Sequence, residues 1–239
     1  LIHISSELNI PKETIRRKVN ELQKDNILIR DGKKITFNRR GIEFQKPTDT
    51  VELLSTFIEK KSRMMHGQDW FGDYLDKQQI KTFIKKYFTV VWLRYFKMQI
   101  PFLIRHRNTF EDLETWIVWG NIALSHQYHL HKASEKNLLK EDIKIDNYYR
   151  NVADVKIDRG INASSIADIS TIPRATVIRK LKWLSKKDVV TKNKYLEYQM
   201  RNKGKLNKQI NKNFMLNQNY VAEFLTDIFD YMKNSNFKI

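Results

Sequence analysis

The sequence predicts a mainly helical protein with two small β-hairpins, in which two copies of one helix–turn–helix–hairpin module flank a helical middle segment. A repeat is the first observation behind this. The pattern Ile-Pro-basic-x-Thr-aliphatic-x-Arg-Lys-aliphatic-x-x-Leu runs from Ile10 to Leu22 and again from Ile172 to Leu184. Each copy is followed by two short β-favouring runs around a turn, and long apolar stripes of helical period lie between the copies.

A shift of 162 positions matches Ile4 with Ile166, Pro11 with Pro173, Lys12 with Arg174 and Thr14 with Thr176. The same shift matches Arg17 with Arg179, Lys18 with Lys180, Val19 with Leu181 and Leu22 with Leu184. In the first copy Pro11 suits the first turn of a helix, where its missing N–H would have no partner and its φ is already helical. Ile15, Val19 and Leu22 then recur at i, i+4 and i+7. That spacing buries one stripe and leaves Lys12, Glu13, Arg16, Arg17 and Asn20 on or beside the opposite face. Ile4, Leu8 and Ile10 supply a short preceding helix and a tight turn, completing a helix-turn-helix. Strands at Ile27–Arg30 and Lys34–Phe37 surround Asp31-Gly32, a dipeptide favoured in two-residue hairpins, with Lys33 and Lys34 near the tip.

The second copy repeats the scheme. Ala163–Ile169 is its first helix and Arg174–Ser185 its second. Val189–Thr191 and Tyr195–Tyr198 make a hairpin around Lys192, Asn193 and Lys194. On these residues both segments resemble the winged helix-turn-helix domains of bacterial transcriptional regulators of the MarR and GntR kind, over residues 1–40 and 160–200. The resemblance implies two recognition helices beginning at Pro11-Lys12-Glu13-Thr14 and Pro173-Arg174-Ala175-Thr176. It also places Arg17 and Arg179 where a backbone-contacting Arg often sits. Glu13 departs from the pattern, because a carboxylate near phosphate is unfavourable unless it accepts from a cytosine amine.

Charge points the same way. The net charge is +17, and the last third of the chain carries more than half of it. Between Arg174 and Lys212 the basic residues face only Asp188 and Glu197, a distribution that attracts polyanions. Abundant Lys, Asn and Ile is also what an AT-rich coding sequence gives, so the concentration of charge on the second motif weighs more than its total. There is no cysteine, which removes disulfides, thiolate nucleophiles and Cys-type zinc sites. No run approaches the roughly 18 apolar residues of a membrane span, and no signal-peptide pattern opens the chain, so a cytoplasmic, nucleoid-associated protein is expected. The expected organisation is a first module at 1–43 whose leading helix is missing, a helical middle at 50–150, a second module at 151–200, and a basic segment with an amphipathic helix at 201–239.

In the middle, Pro47 marks a linker and Asp49 or Thr50 is expected to cap the next helix. Ile80, Phe83, Ile84, Tyr87, Phe88, Val91, Trp92, Tyr95 and Phe96 form one long stripe, on a helix expected to end or kink near Pro101. Thr109 with Asp112 reads as a capping-box-like start for another helix, with its stripe on Leu113, Trp116, Ile117, Gly120 and Leu124. Trp70, Phe71, Trp92, Trp116 and Trp119 can surround a small effector, although ordinary core or a dimer interface is the commoner use of such aromatics. His126 and His129 share a helical face while His131 points elsewhere, a weak metal arrangement; neither metal nor cofactor is expected. No phosphate loop, nucleophile elbow or His-Glu-x-x-His sequence is present, and Glu111, Asp112 and Glu114 suit a helix N-terminus, so an enzyme is not expected.

The stripe Tyr220, Val221, Phe224, Leu225, Ile228, Phe229 and Met232 makes a terminal helix that packs on its own chain or on a second subunit. A homodimer would therefore form through the middle segment or this helix. The function expected is a sequence-specific regulator that binds double-stranded DNA. Its contacts would come from Lys12, Thr14, Arg16, Arg17, Arg174, Thr176, Arg179 and Lys182, with Lys33, Lys34, Lys192 and Lys194 on the hairpins. The alternatives are a plasmid-type replication initiator, whose modules usually follow each other more closely, and a protein-binding adaptor.

Overall fold

The computed structural model describes residues 2–38, 48–66, 74–134, 157–201 and 203–235. The chain begins with α1 (Ile2–Leu8), α2 (Lys12–Lys24) and the hairpin β1 (Leu28–Asp31) and β2 (Lys34–Phe37). Four helices follow: α3 (Thr48–Met65), α4 (Lys77–Lys86), α5 (Phe88–Phe110) and α6 (Leu113–Ser134). Next come α7 (Ala163–Ser170), α8 (Arg174–Lys186), the hairpin β3 (Val190–Lys192) and β4 (Tyr198–Met200), and α9 (Leu206–Asn234). The protein is mainly helical, and among the described residues its strands form two antiparallel two-stranded sheets. Two compact units result, Leu1–Val91 with Tyr231–Ile239, and Trp92–Asp230. The division cuts across the expected middle segment, leaving α3 and α4 in the first unit and α6 in the second.

The repeat is a repeat of backbone as well as of sequence. Pro11 (φ −53°, ψ 135°) and Pro173 (φ −51°, ψ 134°) stand at the N-caps of α2 and α8, one position before the helical turn where the sequence put the first of them. Asn9 and Thr171 take left-handed φ values of 49° and 58° after the first helix, and Asn26 and Asp188 take 58° and 60° after the second. Asn and Asp tolerate that region, whereas the β-branched Thr171 is strained there. Equivalent backbone bonds close both helix ends, from Ile27 N to Leu22 O at 2.8 Å and from Val189 N to Leu184 O at 3.3 Å.

The hairpins differ from their expected registers. Asp31 pairs with Lys34, so the first two-residue loop is Gly32-Lys33, not Asp31-Gly32. Gly32 occupies the position with φ 54°, which costs glycine nothing because it has no Cβ. In the second copy Lys192 pairs with Tyr198, and β4 begins at Tyr198 instead of Tyr195. Ile161 adds a bridge to Tyr198 on the far side, with backbone bonds of 3.1 and 2.8 Å.

Packing separates the copies more than their backbones do. Ile166, Leu184 and Met200 are 0, 0 and 5% exposed, while the equivalent Ile4, Leu22 and Phe37 are 38, 36 and 69% exposed. The difference is α6. Its Val118, Trp119, Ile122 and Ala123, with Phe110 at the end of α5, share one core with Ile166, Val177, Leu181, Leu184, Val189 and Met200. The core face of α6 is thus not the expected Leu113–Leu124 stripe. Ile117 and Leu124 are exposed and Val118, Ile122 and Leu130 are buried, because this helix is apolar on both faces and the partner surface chooses between them.

Lys180 is fixed by the same contact. Its side chain is 9% exposed and its ammonium donates to Asp112, with Glu114 at 3.7 Å. Asp112 also accepts from the Thr115 amide at 2.7 Å and from its hydroxyl at 2.8 Å, so it caps α6. Partial burial pushes the Asp112 carboxyl up, but Lys180 and both Thr115 donors outweigh it and hold the group below the usual carboxylate range.

Several helix boundaries also move. Asp112 begins α6, while Thr109 lies inside α5 and donates to Arg105 O at 2.9 Å. Pro101 neither ends nor interrupts α5; a mid-helix proline removes one N–H donor, and this helix continues for more than two further turns. The long stripe breaks at Tyr87, which leaves the helical region as the C-cap of α4, and Phe96 at its far end is exposed. Asp49 and Thr50 fall within α3, which already starts at Thr48. Pro47 lies outside the described residues.

Within the first unit, α3 and α4 are joined by Glu52, which takes Lys81 at 2.6 Å and also pairs with Lys77. These contacts, Lys77 first, hold the Glu52 carboxyl down to about 2. Asp76 caps α4 in a reciprocal box with Gln79. Of the terminal stripe, Met232 is buried in this unit, and Phe224, Leu225 and Ile228 are buried in the second.

Asp112→Ala should lower stability by about 1–3 kcal/mol in urea unfolding, because it removes a helix cap and leaves the Lys180 charge buried without its nearest partner. Lys180→Met should change stability by less than about 1 kcal/mol. Gly120, in the interior of α6, has nothing within 4 Å of the position a Cβ would take. Gly120→Ala should therefore raise stability by about 0.5–1 kcal/mol.

Candidate functional site

The outer face of α8 is set by what its inner face buries. Val177, Lys180, Leu181 and Leu184 point into the second unit, so Ala175, Arg179 and Lys182, at i, i+4 and i+7, line the opposite side. Arg174 flanks them at the N-terminus, with its Nε donating to Ser164 Oγ of α7 at 3.0 Å. Thr176 is half-buried beside them. Among the described residues neither Arg179 nor Lys182 makes an ion pair, so both guanidinium and ammonium groups face solvent with their charge uncompensated.

The first copy places Lys12, Arg16 and Arg17 equally in the open, with Thr14 half-buried, but two carboxylates of the same helix pair with Arg16 and Arg17. Arg16 Nη2 meets Glu13 Oε1 at 2.6 Å, and Glu21 takes Lys18 at 2.6 Å and Arg17 at 3.9 Å. In the second copy Ala175 and Trp183 occupy the positions of Glu13 and Glu21. Lys33 and Lys34 are exposed on the first hairpin, Lys192 and Lys194 on the second. Lys192 lies over the Tyr198 ring at 5.7 Å and Lys194 over Tyr195 at 5.0 Å, which orients both ammonium groups. The two sets of predicted residues belong to different units.

The second hairpin is braced by residues that the sequence pattern did not single out. Asn193 Oδ1 accepts from Tyr195 N and Glu197 N, both at 2.9 Å, and its Nδ2 donates to Asp158 O at 3.0 Å. Glu197 accepts from Gly160 N at 2.9 Å and pairs with Arg159 at 3.1 Å. The Gly160 amide first, then Arg159 and Asn193, hold its carboxyl below the usual range. A Cβ on Gly160 would strike Tyr198 O, and one on Gly204 would strike Lys187 O, so both ends of the hairpin allow only glycine at close approach. An Asn in a lysine-rich turn followed by an acid was the available signal.

Trp116 and Trp119 do line a cavity, with Phe102, His106, Gly120, Met200 and Asn217 among its other walls, and its volume is about 310 Å³. Trp92 lies elsewhere, tilted against Tyr95 and edge-to-face with Phe96 on α5, and Trp70 and Phe71 lie outside the described residues. His126 is buried, His129 half-buried and His131 exposed, so these three do not converge. Among the described residues no three His, Asp or Glu side chains come together in a way that would hold a metal ion.

His106 is 6% exposed, stacked on Trp116 at 4.8 Å and against the edge of Phe102 at 4.4 Å. Burial, with the Arg105 charge adjacent, holds its pKa down to about 4. The unfolded chain therefore binds the proton first. Stability contributed by the neutral ring is complete above about pH 6.5 and lost as pH falls towards 4. Urea unfolding at pH 7 and pH 4.5 should show a loss of about 2–3 kcal/mol in the native protein that His106→Phe reduces.

The chain matches no protein-family model, no curated protein and no solved structure, so its own residues carry the functional reading.

Proposed function

We propose that this protein is a non-enzymatic, sequence-specific regulator that binds double-stranded DNA through tandem winged-helix modules, with the second module as its principal reader. One observation carries the reading: α8 presents Arg174, Arg179 and Lys182 on an open face, none of them paired with a carboxylate among the described residues, while its other face is locked into a packed core. Phosphate binding needs uncompensated cations, and base reading needs a helix held rigidly in register. The surrounding elements fit. In this reading α6 is the helix that precedes the helix-turn-helix pair, and Lys192 and Lys194 stand on the wing beside the recognition helix. The first module contributes less, because Glu13 already pairs with Arg16 and Glu21 with Arg17 and Lys18.

The regulator acts in the cytoplasm, at the nucleoid; among the described residues no helix is long and apolar enough to cross a membrane. A second copy would cover the exposed apolar strips at Leu93, Phe96 and Ile100 of α5 or at Ile117, Leu124 and Tyr128 of α6. Selection from randomised duplexes at two salt concentrations separates this reading from its rivals. Two spaced half-sites would support a regulator, direct repeats of a replication origin an initiator, and salt-insensitive weak binding a protein adaptor.

With the selected duplex, Arg179→Ala and Arg174→Ala should each weaken binding by roughly 1–3 kcal/mol where the contact is to a base, and flatten the salt slope where it is to phosphate. Arg16→Ala and Arg17→Ala should cost less, as read by fluorescence anisotropy. Unchanged affinity in the Arg174 and Arg179 variants would remove α8 from the interface.

A further inference from the structure

We propose that the cavity walled by α5, α6, α9 and β4 is a binding site for a flat, uncharged, largely apolar small molecule bearing one carbonyl or phenolic oxygen, which accepts a hydrogen bond from His106 Nδ1. Three independent features of the second unit lead there.

The first is shape. About 310 Å³ lies between Phe102, Trp116, Trp119, Ala123 and Phe214, at the small end of the range of roughly 300–1,000 Å³ for small-molecule sites. Aromatic walls of this kind favour a planar guest, which can stack face to face or edge to face with them.

The second is a hydrogen-bond donor that has no acceptor among the described residues. Arg105 Nη2 donates to Asn217 Oδ1 at 2.7 Å, and since a guanidinium only donates, this fixes the Asn217 amide with its oxygen towards Arg105. Its Nδ2 then faces His106 Nε2 at 2.9 Å, and that nitrogen must accept. The neutral ring therefore carries its proton on Nδ1, a buried atom with no hydrogen-bond partner among the described residues. Burying such a donor unmet is costly, and a ligand oxygen would satisfy it. The depressed pKa of His106 agrees with a site for an uncharged guest, since the ring stays neutral at pH 7.

The third is Gly120. It lines the cavity in mid-helix, where a glycine weakens α6, and a Cβ there would meet nothing within 4 Å. Any side chain at this position would project into the open volume. A glycine in that place keeps room for something that is not protein.

The test titrates the whole protein with indanone and with indane, which differ by one carbonyl, following the Trp indole and His ring resonances by NMR. Indanone should bind about tenfold more tightly than indane, the worth of one buried hydrogen bond, and should shift the His106 nitrogen signals. His106→Leu should bring the two affinities together, and Gly120→Leu should abolish both while leaving the helical circular dichroism intact. The comparison of the two compounds on the native protein needs no substitution, so it stands even where a variant misfolds. Equal affinities on the native protein, no binding of either compound at millimolar concentration, or undiminished binding to folded Gly120→Leu would each overturn the proposal.

Discussion

A pair of short helices set at an angle cannot bury its own core. Each has one apolar stripe, and the corner between them leaves the outer halves of both stripes facing water unless a third surface closes over them. In the second unit that surface is α6 with Phe110, and every aliphatic of the repeated pattern beneath it is buried. The elements around it follow from this contact. Asp112 caps α6 where it can also receive Lys180, Met200 of β4 closes the edge of the core, and the polar side of α8 is left to solvent. In the first copy the same backbone is built, but Ile4, Leu22 and Phe37 stay at the surface. Local sequence sets the corner, and the third surface sets its depth.

This explains which parts could be read from the sequence. The repeat, the helix pair in each copy, the terminal helix and the exposed cations of α2 and α8 all rest on local signals: proline at a helix start, period 3.6, and cations off the apolar stripe. Hairpin registers came out one to three residues off, because a turn residue such as Gly32 can sit first or second in a loop and only cross-strand pairing decides. The face of α6 is legible only at Trp116, which packs against the core. Ile117 and Leu124 are as apolar as Val118 and Ile122, and the choice between the two stripes belongs to the partner surface. Thr109 and Asp112 show the same ambiguity, as two cap-forming residues three apart of which only one stands at a helix start.

The shared backbone makes the electrostatic difference between the copies plain to read. Glu13 and Glu21 in one helix become Ala175 and Trp183 in the other, so Arg17 has a carboxylate at 3.9 Å while its counterpart Arg179 has none among the described residues. Lys18 and Lys180 diverge in the opposite sense, one on an exposed surface pair and the other drawn inward to Asp112. Position in a motif therefore says little about role until the surroundings are known. The same chemical group serves the surface in one copy and the core in its counterpart.

The glycines at either end of the second hairpin matter beyond the folded chain. Gly160 lies against Tyr198 and Gly204 against Lys187, and between them the polar contacts of Asn193 and Glu197 hold the turn, so the prong carrying Lys192 and Lys194 is shaped before it meets anything. Association normally costs conformational entropy for every loop and side chain that must be ordered on contact. Here much of that ordering accompanies folding, so an encounter with a charged surface leaves this prong little freedom to lose.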